Sequence, residues 1–86
     1  VPFVGLDDLV DAPQAYDGER VATRGVVRTF EEPLHYWIED ANLNRVGLFP
    51  EDDLPALVGH EITVVGPFTY ARDVGRPVTI ERMQRQ

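Results

Sequence analysis

Between Arg20 and Thr29 the chain alternates, with Val21 and Thr23 on one face and Arg20, Ala22 and Arg24 on the other, and Gly25 interrupts the run before Val26-Val27. A period of two marks a strand, and a glycine inside a strand marks a bulge or a sharp bend. A long strand that bends in its middle can serve both halves of a closed sheet, so this run predicts a small all-β barrel with 20–29 as its first strand. Three further strands repeat the alternation. His35–Asp40 sends Tyr36 and Ile38 to one face and His35, Trp37 and Glu39 to the other, and Asp40 opens a turn at Ala41-Asn42-Leu43-Asn44. Arg45–Phe49 places Val46 and Leu48 inward, and Glu61–Phe68 does the same with Ile62 and Val64. Arg76–Met83 follows the turn around 72–75 as the fifth strand, and 84–86 are expected to fray. Phe30–Leu34 reads as the connection between the first two strands, with Pro33 ending the ladder.

The remaining segments read as short helices. Leu6-Asp7-Asp8-Leu9-Val10 has apolar residues at helical spacing and carboxylates in its first turn, where the helix dipole favours them. Pro13 restarts a second turn through Tyr16, and Asp17-Gly18 closes it. Pro50–Gly59 reads as a short helix between the third and fourth strands, with Glu51, Asp52 and Asp53 as its N-terminal acids and Gly59 as its stop. The carboxylates Asp7, Asp8 and Asp11 lack the glycine and the spaced oxygens of a calcium loop, so helix starts account for them better than metal does. Phe3 and Val4 are expected to cover one end of the core.

The chain of 86 residues fits one domain, 1–86, with 1–19 as lead-in and 20–83 as barrel. It has no cysteine, so folding relies on packing rather than on disulfides or zinc thiolates, and either a cytoplasmic or an extracytoplasmic setting suits it. No apolar run approaches the ~20 residues of a membrane span. The chain opens at Val1, which is expected of a processed protein or of a domain cut from a longer one. The net charge of −7 disfavours indiscriminate nucleic-acid binding. The charge is uneven, because in 62–86 Arg72, Arg76, Arg82 and Arg85 outnumber Asp73 and Glu81, a local balance of +2.

The run Tyr16-Asp17-Gly18, Val21-Ala22-Thr23-Arg24-Gly25-Val26-Val27, Tyr36-Trp37-Ile38-Glu39-Asp40, Val58-Gly59-His60-Glu61-Ile62-Thr63-Val64-Val65-Gly66 and Gly75-Arg76-Pro77-Val78-Thr79-Ile80 resembles small bacterial and archaeal OB-fold modules. The resemblance spans 16–83 and implies a five-stranded Greek-key barrel with a short N-terminal helix and a short helix between strands 3 and 4. Many such modules are predicted nucleic-acid binders, and others sit in exported proteins. The resemblance speaks to the fold and leaves activity to the site.

Catalysis has little to stand on. With no serine and no cysteine the usual nucleophiles are missing, and no threonine has an evident paired base. His35 and His60 lack metal-ligand spacing, and Glu31-Glu32 and Glu39-Asp40 are adjacent pairs that point to opposite faces of a strand. No cofactor or metal is implied, and a non-catalytic binding module is expected. In OB-folds ligands sit on the outward face of strands 2 and 3 and on the loops joining strands 1 to 2 and 4 to 5. That face would carry His35 and Trp37 with Arg45, Gly47 and Phe49, and Gly47 beside Trp37 would leave the indole uncovered. Arg28, Tyr70, Arg72 and Arg76 would flank it, forming a groove for single-stranded nucleic acid. Against this stand Glu31, Glu32 and Glu39, which would repel phosphates, and the option that Phe3 and Val4 cover Trp37 or Phe49. The other reading is therefore a protein-interaction or accessory domain of a larger chain, exported or not, whose aromatic face docks a partner without binding nucleic acid.

Overall fold

The computed structural model describes all 86 residues. Residues Pro2–Val4 run parallel to the first strand at Ala22, with the Val4 N–H donating to Ala22 O at 2.8 Å and the Ala22 N–H to Pro2 O at 2.9 Å. Val4 is buried there. Phe3 is not: it faces solvent beside Ala22, with the Arg24 guanidinium carbon 5.8 Å from its ring centre, and so lies well along the strand from Arg28, the residue paired with Trp37. Helix α1 (Leu6–Asp11) buries Leu6 and Leu9 and keeps Asp7 and Asp8 in its first turn. It has no side-chain N-cap, so burial of one apolar face holds it in place. Helix α2 (Pro13–Tyr16) starts on its proline and leads to Gly18 at φ +84°, beyond which the Phe68 N–H donates to Glu19 O.

Strand β1 (Arg20–Glu31) is twelve residues long and serves two partners. Through Arg20–Val26 it pairs with β4 (Glu61–Pro67), and through Val26–Glu31 with β2 (Leu34–Glu39), both antiparallel. Gly25 lies at the changeover, as the sequence predicts. A Cβ there would stand 2.9 Å from Glu39 O and 2.9 Å from Leu6 Cδ1, so the strand can lie this close to β2 and α1 only where a side chain is missing. The ladder reaches two residues further than Thr29, because Phe30↔His35 and Glu31↔Leu34 still pair and Pro33 sits in the turn, where no ladder N–H is needed.

Strand β3 (Arg45–Phe49) pairs antiparallel with β2 and parallel with β5 (Pro77–Thr79). The expected fifth strand 76–83 is two strands. The chain leaves β5 at Thr79, turns at Ile80-Glu81, and runs as β6 (Arg82–Arg85) antiparallel along the free edge of β4. The C-terminus is held rather than frayed, since the Gln86 N–H donates to Glu61 O at 2.9 Å. The result is a six-stranded sheet in the order β5-β3-β2-β1-β4-β6. Its two sides also meet where the continuation of β4 bridges β5, at Phe68↔Val78 and through the Thr69 N–H to Pro77 O.

The expected helix between β3 and β4 shrinks to a 3₁₀ turn at Pro55–Leu57. Pro50 and Pro55 within six residues deny an α-helix its backbone donors, and Gly59 at φ +87° ends the segment. Glu51, Asp52 and Asp53 precede that turn and do not sit in its first residues, so they are not helix caps. Leu54, fully buried, is the anchor of this segment.

The inward positions of the strands, Val21, Val27, Tyr36, Ile38, Val46, Leu48, Ile62, Val64 and Val78, form the core with Leu6, Leu9, Leu54 and Phe68. Thr23 is the polar exception: it is fully buried and its hydroxyl has no partner. An orphaned hydroxyl in a core costs about 1–3 kcal/mol. Thr23→Val, which keeps the shape and removes that cost, is expected to raise the melting temperature by a few degrees; a lower one would show that the hydroxyl is bonded.

Candidate ligand-binding face

The outward positions of the first three strands form a grid fixed by register. Arg28 pairs with Trp37, Trp37 with Gly47 and Gly47 with Pro77, giving one row across β1, β2, β3 and β5. Phe30 and His35 make the row on one side, and Glu39 with Arg45 the row on the other. On this face the three strands present Arg20, Arg24, Arg28 and Arg45 against the single carboxylate Glu39, in a chain whose net charge is −7, although Arg20 is itself paired with Glu81 of the β5–β6 turn at 2.7 Å.

The centre of the grid is Trp37. His35 stacks on it with ring centres 5.0 Å apart and planes at 29°, and Phe30 tilts against His35 at 6.0 Å. From the opposite row the Arg45 guanidinium carbon lies 4.9 Å from the indole centre. Gly47 does leave open space at its own position, where a Cβ would meet only Pro77 at 3.8 Å. The indole is nevertheless half-buried and flanked by imidazole and guanidinium rather than bare. His35 Nδ1 is 2.7 Å from Pro33 O, so the ring donates there.

Glu39 is neutralised in place. The Trp37 indole N–H donates to Glu39 Oε1 at 2.9 Å, and Arg28 Nε stands 3.6 Å from Glu39 Oε2. The residue expected to repel anions therefore locks the indole and Arg28 into the face. Residues two apart on one strand share a face, which is the sequence signal for the Trp37–Glu39 contact; the Arg28 contact depends on register.

Beside Trp37 opens a cleft of about 280 Å³ lined by His35, Trp37, Arg45, Gly47, Gly75 and Arg76. Four of the candidate residues thus meet in one place, while Arg28 joins through Glu39. Phe49 is half exposed on the same face, two residues beyond Gly47 and paired with Thr79, outside the cleft. Tyr70 packs against the core and its backbone N–H is held by Asp17 Oδ1 at 2.9 Å. Arg72 is exposed in the turn that Gly75 closes on Ala71. Neither of these two lines the cleft. Gly75 does, and sequence reasoning missed it; its φ of +87° and its place one residue before Arg76 are what shape that wall. Arg45 and Arg76 form no ion pair and donate no side-chain hydrogen bond within the protein, and Arg76 Nε is shielded from solvent with no acceptor.

The turn joining β2 to β3 is built on Asp40, whose Oδ1 accepts the N–H groups of Asn42 and Asn44, each at 2.9 Å, and whose Oδ2 accepts the Asn44 side-chain amide at 3.0 Å. Partial desolvation pushes its pKa up, but the Asn44 and Asn42 donors together outweigh this and hold it below the ordinary carboxylate value. A depressed pKa adds stability that is present above the unfolded value of 3.8 and is lost as pH falls through the folded one. Asp40→Ala is expected to melt lower than the parent near pH 7, with the gap closing below about pH 4; a gap independent of pH would mean that the carboxylate does not carry the turn.

No cluster of three or more histidine, aspartate or glutamate side chains could hold a metal ion, and no helix is long and apolar enough to cross a membrane. Fold and site together define a small, mostly β domain with an arginine-and-aromatic face. No protein-family description matches the chain, and no curated protein sequence matches it significantly.

Proposed function

We propose that the chain is a non-catalytic OB-fold binding module that takes single-stranded nucleic acid across the face of β1, β2 and β3. The observation that carries the reading is the grid around Trp37: arginines and aromatic rings concentrated on one face of an acidic protein, with the one carboxylate among them already bonded. Aromatic side chains give bases a surface to stack on, worth about 1–3 kcal/mol per base, and arginines hold the backbone between them. The row from Arg28 to Pro77 crosses three strand spacings, about 14 Å, which suits a short run of nucleotides lying across the strands. For the OB barrel itself the support is the sheet order, in which β1, β2, β3 and β5 are consecutive neighbours, together with the bridge from the end of β4 to β5.

The competing reading, a docking face for a protein, draws on the exposed Phe30, Leu34 and Phe49. Salt separates the two. Titrating a mixed-sequence single-stranded oligonucleotide and following the emission of Trp37, the only tryptophan, is expected to show quenching at low salt that is reversed at high salt. An emission unchanged by oligonucleotide at low salt would remove the nucleic-acid reading and leave the protein partner.

A further inference from the structure

The cleft beside Trp37 concentrates positive charge without using it. Arg45 and Arg76 both line it, and neither guanidinium is bonded to a protein acceptor. Arg45 covers the indole, so its N–H groups remain available for a ligand. Two fixed positive charges on one small cleft match a dianion better than a single monoanionic link of a continuing chain.

The surroundings set the direction from which a strand can enter. Toward β1 the outward face carries Arg28 and Arg24, in a groove they share with Glu39, Asp40 and the exposed Glu61 of β4. At the β1–β2 turn stand Glu31 and Glu32, beyond the end of β3 stand Asp52 and Asp53, and in the 71–75 turn Asp73 offsets Arg72, all of them exposed. A phosphate backbone thus meets arginines beside carboxylates on the β1 side, and only carboxylates or a cancelled charge on the other sides.

We propose that the Arg45–Arg76 cleft holds the terminal phosphomonoester of a single-stranded oligonucleotide, with the rest of the strand leaving over Arg28 and Arg24. This rests on the reading of the face as a nucleic-acid surface and adds what occupies its end.

Three oligonucleotides of one sequence, carrying a 5′-phosphate, a 3′-phosphate or hydroxyls at both ends, are titrated into the protein at low salt with Trp37 emission as the readout. One phosphorylated form is expected to bind about tenfold or more tighter than the hydroxyl form, and its identity gives the polarity of the strand. Arg76→Gln is expected to erase that preference; its side chain bonds nothing within the protein, so the fold is kept. Arg82→Gln on β6 is expected to leave the preference intact. Equal binding of all three forms overturns the terminal-phosphate proposal while the nucleic-acid reading stands, and no binding of any form overturns both. A preference that survives both Arg45→Gln and Arg76→Gln overturns the assignment to this cleft.

Discussion

Gly66→Ala is expected to destabilise the protein more than any other single-methyl change. Gly66 is buried in β4, and a Cβ built on it would overlap the backbone carbonyl oxygen of Thr79, with the Glu81 nitrogen only 3.3 Å away. The atom in the way belongs to the main chain, so no rotamer change relieves the overlap. The carbonyl also sits at the corner where the chain leaves β5 to become β6, and the Glu81 N–H donates to Val65 O at 2.8 Å beside it. A methyl group at 66 must therefore push the corner off β4 and loosen β6 with it. Overpacking of this kind costs about 3 kcal/mol or more, a large share of the roughly 4–13 kcal/mol that a domain of this size has to lose. A fall in melting temperature of about 12–24 °C is the expected reading. Gly25→Ala, which meets Glu39 backbone at 2.9 Å and a movable Leu6 side chain, is expected to fall less. A Gly66→Ala protein that melts within a few degrees of the parent would show that β4 and the β5–β6 corner have room for a side chain between them.

The second large effect is on binding. Reversing both unpaired charges, Arg45→Glu with Arg76→Glu, is expected to weaken oligonucleotide binding by about a hundredfold or more, because two attractive contacts to phosphate become repulsive. The slope of log affinity against log salt should become shallower by about 1.4, at about 0.7 for each phosphate charge of a single strand that is no longer neutralised. Stability is expected to change little, since neither side chain is bonded within the protein and only the stacking of Arg45 on Trp37, about 0.5–1 kcal/mol at an exposed site, is given up. Undiminished affinity in the doubly reversed protein would move the nucleic-acid site off this cleft, and a folded protein that loses all binding would tie the site to it.

The site was partly legible in the residues themselves. His35, Trp37 and Arg45 belong to one face because alternation along a strand is a local property, and Arg76 joins them because the β5 it precedes lies beside β3. Tyr70 and Arg72 have the same residue types and lie close to Arg76 in sequence, yet they line no part of the cleft. The turn closed between Ala71 and Gly75 carries Arg72 outward, and Asp17 pins the Tyr70 backbone to the lead-in. Charge pairing was the least legible feature. Glu39 reads as a repulsive carboxylate until register brings Arg28 beside it and the indole N–H closes on its other oxygen.

Which side of each strand is buried follows from the residues alone: Val21, Tyr36, Ile38, Val46, Leu48, Ile62 and Val64 all face the core, because burial every second residue needs no knowledge of the partner strand. So do the changeover at Gly25, where β1 passes from β4 to β2, and the turn on Asp40, where a missing Cβ and a short carboxylate act on atoms a few residues away or on the strand directly paired. The break of 76–83 into β5 and β6 is instead a product of tertiary pairing. Arg82-Met83-Gln84-Arg85 has one apolar side chain, too few for a pattern, and what draws it onto β4 is the unpaired backbone of that strand's edge. The same holds for Gly66 and for the free guanidinium groups of Arg45 and Arg76. Whether a backbone crosses a glycine, or a carboxylate reaches an arginine, depends on segments distant in sequence, and those meet only when the strands have paired and packed on the core.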